Sequence, residues 1–142
     1  MATGLVACCK KKLDHPAPAR DLYQSPLFRF SRAYVECTCG GWAILSAKYG
    51  LVLPCDVIDP YDLSLRKMSR AEVSEWAAKI RQRIREVFPG ESFLVLAGRT
   101  YMSAVEGLPH EAPLSGMSIG RRLSWLKAHL ERCSVWSGPV RR

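Results

Sequence analysis

Phe93-Leu94-Val95-Leu96-Ala97-Gly98 is a continuous apolar run, and it constrains the fold more than any other stretch. A strand with one wet face alternates apolar and polar residues. An unbroken run belongs to a strand covered on both sides, as in a parallel sheet flanked by helices. The residues before it supply such a helix. Across 69–87, Val73, Trp76, Ala77, Ile80, Ile84 and Val87 line one face at helical spacing. Ser69 and Glu72 have the spacing of a capping box at its start, and Pro89-Gly90 stop it. Arg81, Arg83 and Arg85 fall mainly on its other faces.

Two further runs extend the pattern. Residues 4–8 are apolar and β-prone, and Lys10, Lys11 and Lys12 follow at once. Residues 13–24 hold two prolines and several polar groups and read as an irregular loop. Ser25-Pro26 then opens a helix, a capping hydroxyl with proline at the first helical position. Its Leu27, Phe30, Tyr34 and Cys37 recur at helical spacing, and Gly40-Gly41 end it. Residues 42–46 read as the second strand. A short helix is expected after Arg99-Thr100-Tyr101. A last helix is expected over 118–133, with Ile119, Leu123, Leu126 and Leu130 facing inward. Strands alternating with helices predict an α/β fold: a single three-layer α/β/α domain with a mostly parallel central sheet and right-handed crossovers. The domain is expected over 1–136, with 137–142 as a flexible C-terminal tail.

A chain of 142 residues has the length of one domain. Its 21 Lys and Arg against 13 Asp and Glu leave a formal charge of +8. That excess favours an anionic partner, with a nucleotide phosphate or nucleic acid the natural candidate; a basic, soluble surface is the plainer account. No apolar run approaches the ~20 residues that cross a bilayer. The short apolar run at the N-terminus has no basic stretch before it, so the chain reads as cytoplasmic with no membrane partner. Of the six cysteines, Cys8-Cys9 are adjacent, Cys37 and Cys39 are one residue apart, and Cys55 and Cys133 stand alone. None makes the Cys-x2-Cys pairs of a zinc site, so most of them read as small buried hydrophobes; a metal site assembled by the fold is disfavoured, and no cofactor is expected.

Chemistry gathers where the strands end. Residues 43–65 pass from an apolar run into Ser46, then Lys48, Tyr49, Asp56, Asp59, Tyr61 and Asp62, with Gly50, Pro54 and Pro60 shaping the loop. Lys10 and Lys12 read either as phosphate ligands or as a solvated charge run. Lys48 and Arg99 are further candidates for phosphate or nucleic acid. Tyr49, Tyr61 and Tyr101 suit stacking on or positioning a base, and Gly98 permits close backbone approach. Asp59 and Asp62 are the acid/base candidates, because a carboxylate can activate water or stabilise a sugar cation. Aspartates beside prolines also shape loops, and for Asp56 the two accounts stand level. Ser46 is a third catalytic candidate, although no Gly-x-Ser-x-Gly elbow surrounds it. No Gly-rich phosphate cradle is present, which disfavours a nucleoside-triphosphate or dinucleotide enzyme.

Three segments together resemble one superfamily. Leu5-Val-Ala-Cys-Cys-Lys-Lys-Lys-Leu-Asp14 resembles the strand-then-lysine opening of the YaaA family of peroxide-stress proteins. Ile44-Leu-Ser-Ala-Lys-Tyr-Gly50, with Pro54, Asp56 and Pro60-Tyr61, is similar to its signature of Leu-Ser-x-x-Tyr-Gly followed by Pro, Asp and Pro-Tyr. Shorter bacterial and phage members also show the patterns found here at Leu22-Tyr23-x-Ser25-x-x-Phe28, Leu96-Ala-Gly-Arg99-x-Tyr101 and Pro113-Leu-x-Gly116. The resemblance implies DNA binding and protection against oxidative damage, or a part in handling 7-deazaguanine-type bases. Asp62 stands where YaaA-type sequences tend to carry a basic residue. Two expectations follow: an enzyme that cleaves or exchanges an N-glycosidic bond of a nucleotide or nucleic acid, or a non-enzymatic DNA-binding stress-protection protein.

Overall fold

The computed structural model describes residues 2–133; residues 134–136 of the expected domain and the expected tail at 137–142 lie outside the described residues. In chain order the elements are β1 (Thr3–Ala7), β2 (Ala17–Pro18), α1 (Ala19–Leu22), α2 (Pro26–Thr38), β3 (Gly41–Ser46), β4 (Gly50–Val52), β5 (Val57–Ile58), α3 (Arg70–Val87), β6 (Phe93–Leu96), β7 (His110–Glu111) and α4 (Ile119–Leu130). Short 3-10 helices occupy Leu65–Lys67 and Arg99–Val105. No helix of the described residues is long and apolar enough to cross a membrane.

The fold is mixed α/β around a mostly parallel sheet of order β4-β3-β1-β6-β7. β1 is the middle strand, with Leu5 opposite Ala43 of β3 on one side and Val95 of β6 on the other, both in parallel. β7 continues the parallel set, and β4 turns back antiparallel to β3. Strand side chains alternate between faces. Leu5, Ala43, Leu45, Phe93 and Val95 therefore pack with Trp76, Ala77, Ile80 and Ile84 of α3. Val6, Ile44 and Leu96 pack with Phe28 and Val35 of α2 and Leu126 of α4. The unbroken apolar run of β6 thus has a reason in each cluster.

Helix starts follow their caps. Ser69 accepts the N–H of Glu72 at 3.1 Å while the Glu72 carboxylate accepts the N–H of Ser69 at 2.8 Å. Ser25 accepts from Phe28 at 3.1 Å, with Pro26 at the first position of α2.

Four expectations need correction. α2 buries Phe28, Ser31 and Val35 rather than the stripe Leu27, Phe30, Tyr34 and Cys37. That stripe is half-buried because it meets α4 instead: Tyr34 lies edge-on to Trp125 at 5.2 Å, and the Lys127 ammonium sits 5.4 Å from the Phe30 ring centre. Ile119 is 65% exposed, since ring contacts between α4 and α2 begin only at Trp125. Residues 13–24 are ordered by pairing rather than irregular, with β2 on β5 and Lys12 bridged to Tyr23, burying Ala19, Leu22 and Tyr23. Finally, the cysteines are not buried hydrophobes. Cys37 and Cys133 form a disulfide with a Cα–Cα distance of 6.5 Å, while Cys8, Cys9 and Cys39 are half-buried free thiols and Cys55 is exposed.

Gly4 lets α2 cross the middle strand closely. A Cβ there would stand 2.6 Å from Val35 Cγ1 and 3.1 Å from Trp42 Cβ. Both neighbours are fixed in packed elements, so Gly4→Ala is expected to cost ~1–3 kcal/mol as overpacking. Urea denaturation checks this; an unchanged midpoint would show that α2 can move aside.

Candidate functional site

β1, β3 and β6 are parallel neighbours, so their carboxyl ends open on one edge of the sheet. A short polar segment follows each: Cys8-Cys9 and the lysines, then Ser46 to Tyr49, then Gly98 to Tyr101. Open α/β sheets hold ligands at such edges.

The side chains there touch. Cys8 Sγ accepts the Ala47 N–H at 3.4 Å and lies 3.1 Å from Tyr101 Oη. Tyr61 Oη pairs with Tyr23 Oη and with Ser46 Oγ, each at 2.8 Å. Ser46 Oγ accepts the Tyr49 N–H at 3.0 Å, and the Ser46 carbonyl accepts Trp76 Nε1–H at 2.9 Å. The Lys12 ammonium stands 4.3 Å from the Tyr61 ring centre, a cation–π contact worth ~0.5–2 kcal/mol. Tyr49 meets Tyr61, and Trp76 meets Tyr101, edge-on at 5.5 Å. Gly50, at φ +76°, makes the tight return from β3 to β4 that carries Lys48 and Tyr49. Between this hairpin and α3 a cleft of about 380 Å³ opens, lined among others by Lys48, Tyr49, Trp76, Lys79 and Arg83.

Burial raises the Tyr23 phenol from 10.0 to about 12, against the lowering effect of its hydrogen bonds to Ser46 and Tyr61. Tyr61 and Tyr101 are pushed well above the usual phenol range, by burial first and then by the negative charge Cys8 can carry. All three keep their protons at neutral pH; Tyr23 is buried, whereas the half-buried Tyr61 and Tyr101 can donate hydrogen bonds to a bound anion or polarised carbonyl. Donors, a thiol, aromatic edges and nearby cations on one rim suit a planar ligand that carries negative charge.

The structure gathers some of the expected residues and not others. Tyr61, Tyr101, Ser46, Lys12 and Tyr49 join the network. Ser46 is fully buried and bonded on its side chain and its carbonyl, so it organises the site rather than faces a ligand. Lys48 is exposed beside the Tyr49 ring, at 5.3 Å from its centre. Lys10 is exposed, and its carbonyl accepts the Lys12 ammonium at 3.1 Å. Arg99 is exposed at the start of its 3-10 helix. Gly98 has extended-type backbone, and a Cβ there would meet only Arg122 at 3.8 Å, so protein packing does not require a glycine. Asp59 and Asp62 are exposed, with the Tyr49 hydroxyl donating to the Asp59 carbonyl at 3.3 Å. Asp56 accepts the Leu53 N–H at 2.9 Å and shapes the turn. Among the described residues no three His, Cys, Asp or Glu side chains converge to hold a metal ion.

Cys8, Tyr23 and Trp76 are site residues that the sequence reading passed over. Cys8 falls within the apolar run 4–8, whereas β1 ends at Ala7 and leaves Cys8 at the strand end. Tyr23 lay in a segment read as loop, and Trp76 in a stripe read as core alone.

A family model described as a family of unknown function (DUF6884) matches residues 4–128. The chain belongs to this family. No curated protein and no solved structure matches it. The DUF6884 match takes in the three strand ends and every side chain of the network.

The phenols make the fold alkali-sensitive. An unfolded tyrosine ionises near 10, whereas buried Tyr23 holds its proton to about 12. The native state therefore binds more protons between these values, and stability falls as pH rises through that window. The expected slope is ~1.4 kcal/mol per pH unit for each such tyrosine. Urea midpoints measured from pH 8 to 11.5 should fall above about pH 10, and less steeply in Tyr23→Phe. An equal fall in the variant would remove Tyr23 as the cause.

Proposed function

We propose that this protein is an enzyme of nucleotides or nucleic acid that cleaves or exchanges an N-glycosidic bond, with a YaaA-like, three-layer α/β/α architecture. The two apolar clusters, one with α3 and one with α2 and α4, support the layered reading. One observation carries the functional reading. Tyr61, between Asp59 and Asp62 in sequence, is drawn into the strand-end network beneath the Lys12 ammonium. The carboxylates of Asp59 and Asp62 flank it in sequence and are exposed to solvent.

In this reading Lys10, Lys12, Lys48 and Arg99 attract the phosphate, and Tyr49 packs against the base. As the glycosidic bond breaks, its electron pair leaves with the base nitrogen and the sugar carbon becomes positive. A carboxylate from Asp59 or Asp62 stabilises that charge, and the phenols of Tyr61 and Tyr101 donate hydrogen bonds toward the departing base. Water, or an incoming base in the exchange reaction, then bonds to the sugar carbon, and the proton it gives up ends on the nitrogen of the departed base. The alternative, a DNA-binding stress-protection protein without chemistry, draws support from the charge of +8.

Both carboxylates are exposed, so Asp59→Asn and Asp62→Asn are expected to fold normally. Purified protein incubated with nucleoside monophosphates, and with DNA containing guanine or 7-deazaguanine, should release free base detectable by mass spectrometry. At least one variant should lose that release by ~100-fold or more. Full release from both variants would remove these carboxylates from the mechanism. Binding without released base would favour the non-enzymatic alternative.

A further inference from the structure

A second groove, outside the network, lies on the other side of α3. It has a volume of about 480 Å³ and runs between α3 and the 3-10 helix Arg99–Val105. Its floor is apolar, with Leu65, Met68, Val73 and Ala77, and its rim carries Arg66, Arg70 and Arg81. Among the described residues none of these three arginines makes an ion pair; Arg81 donates from Nη1 to the Ser103 carbonyl at 2.6 Å, leaving the rest of its fork. Glu106 is the acidic residue among the groove's lining.

The spacing identifies the ligand class. Arg70, Val73, Ser74, Ala77 and Arg81 recur at helical intervals along one face of α3, with an arginine at each end of the row. Eleven residues of helix span about 16 Å. A single phosphate cannot meet both arginines across that span, whereas a chain of phosphates can. Arg66, Lys67 and Arg70 also crowd like charge at the end of α3 where the helix dipole is positive, a cost that an incoming polyanion relieves. The 3-10 helix Arg99–Val105 packs against both α3 and the 3-10 helix Leu65–Lys67, so the groove is walled by ordered elements. Met68 lines both this groove and the cleft beside Tyr49, and Thr100 of the groove is the chain neighbour of Tyr101 in the network.

We propose that this groove binds the sugar-phosphate backbone of single-stranded nucleic acid, so that the nucleotide acted on belongs to a polymer. The inference rests on the nucleotide reading above, and it selects the polymer over the free nucleotide. The target base is presented unpaired at the strand ends, as chemistry on a base requires, while flanking phosphates lie along Arg66, Arg70 and Arg81.

The test is fluorescence anisotropy with a labelled single strand of about a dozen nucleotides, within the size range of single-strand grooves, at several salt concentrations. Each arginine–phosphate contact contributes ~0.7 to the slope of log affinity against log salt, so Arg66→Gln/Arg70→Gln/Arg81→Gln should lower that slope by about 2. Between about 50 and 200 mM salt the native protein should then lose roughly twenty-fold more affinity than the variant. Arg81 has a backbone partner, so the exposed pair Arg66→Gln/Arg70→Gln is measured alongside, with an expected loss of about 1.4 in slope. Unchanged slopes in both variants overturn the proposal, as does competition by a nucleoside monophosphate as effective as the unlabelled oligonucleotide. Base release is read separately. Arginine-dependent strand binding with no release from any substrate would support the groove and remove only the glycosidic reading.

Discussion

The middle position of β1 is the constraint on which the rest depends. A strand hydrogen-bonded along both edges has no freedom of register, and its neighbours inherit that restriction. β3 and β6 run beside it in the same direction, and side chains of the three strands divide between two apolar clusters. Cys8, Ala47 and Tyr101 lie far apart in the chain, yet they meet because the three strands end together. Gly4 belongs to the same constraint, since α2 approaches the middle strand so closely there that a Cβ would meet Val35.

The network is a chain of dependence as well as of contacts. Trp76 holds the Ser46 carbonyl, Ser46 holds Tyr61 and the Tyr49 backbone, and Tyr61 carries Tyr23 and lies under Lys12. α3 therefore fixes the hairpin and the loop of residues 53–62 from below. The same helix supplies Arg70 and Arg81 of the second groove on its other side. One rigid element thus relates the buried polar centre to the basic surface.

Much of this was legible in residues. The capping box and stripe of α3 are local patterns with strong physical signals, and its buried face follows from them. The strand-end clustering followed from alternating strands and helices. What escaped depended on partners distant in sequence. α2 has two apolar stripes, and only the position of α4 decides which one meets the sheet. Residues 50–52 form a strand because β3 offers an open edge, and Lys12 and Tyr23 become ordered by bridging each other. Asp59 and Asp62 carried a chemical signal without a spatial one, and both are exposed. Cys8 was hidden because a cysteine after an apolar run looks like one more small hydrophobe.

The disulfide between Cys37 and Cys133 makes the chain topologically a ring. It joins residues 96 positions apart, and the ring encloses β3, α3, β6 and α4 while leaving β1 outside. Closing a loop of this size removes ~4–5 kcal/mol worth of conformational freedom from the unfolded chain by the chain-entropy account. The reduced chain can thus spread further than the oxidised one once the fold is lost.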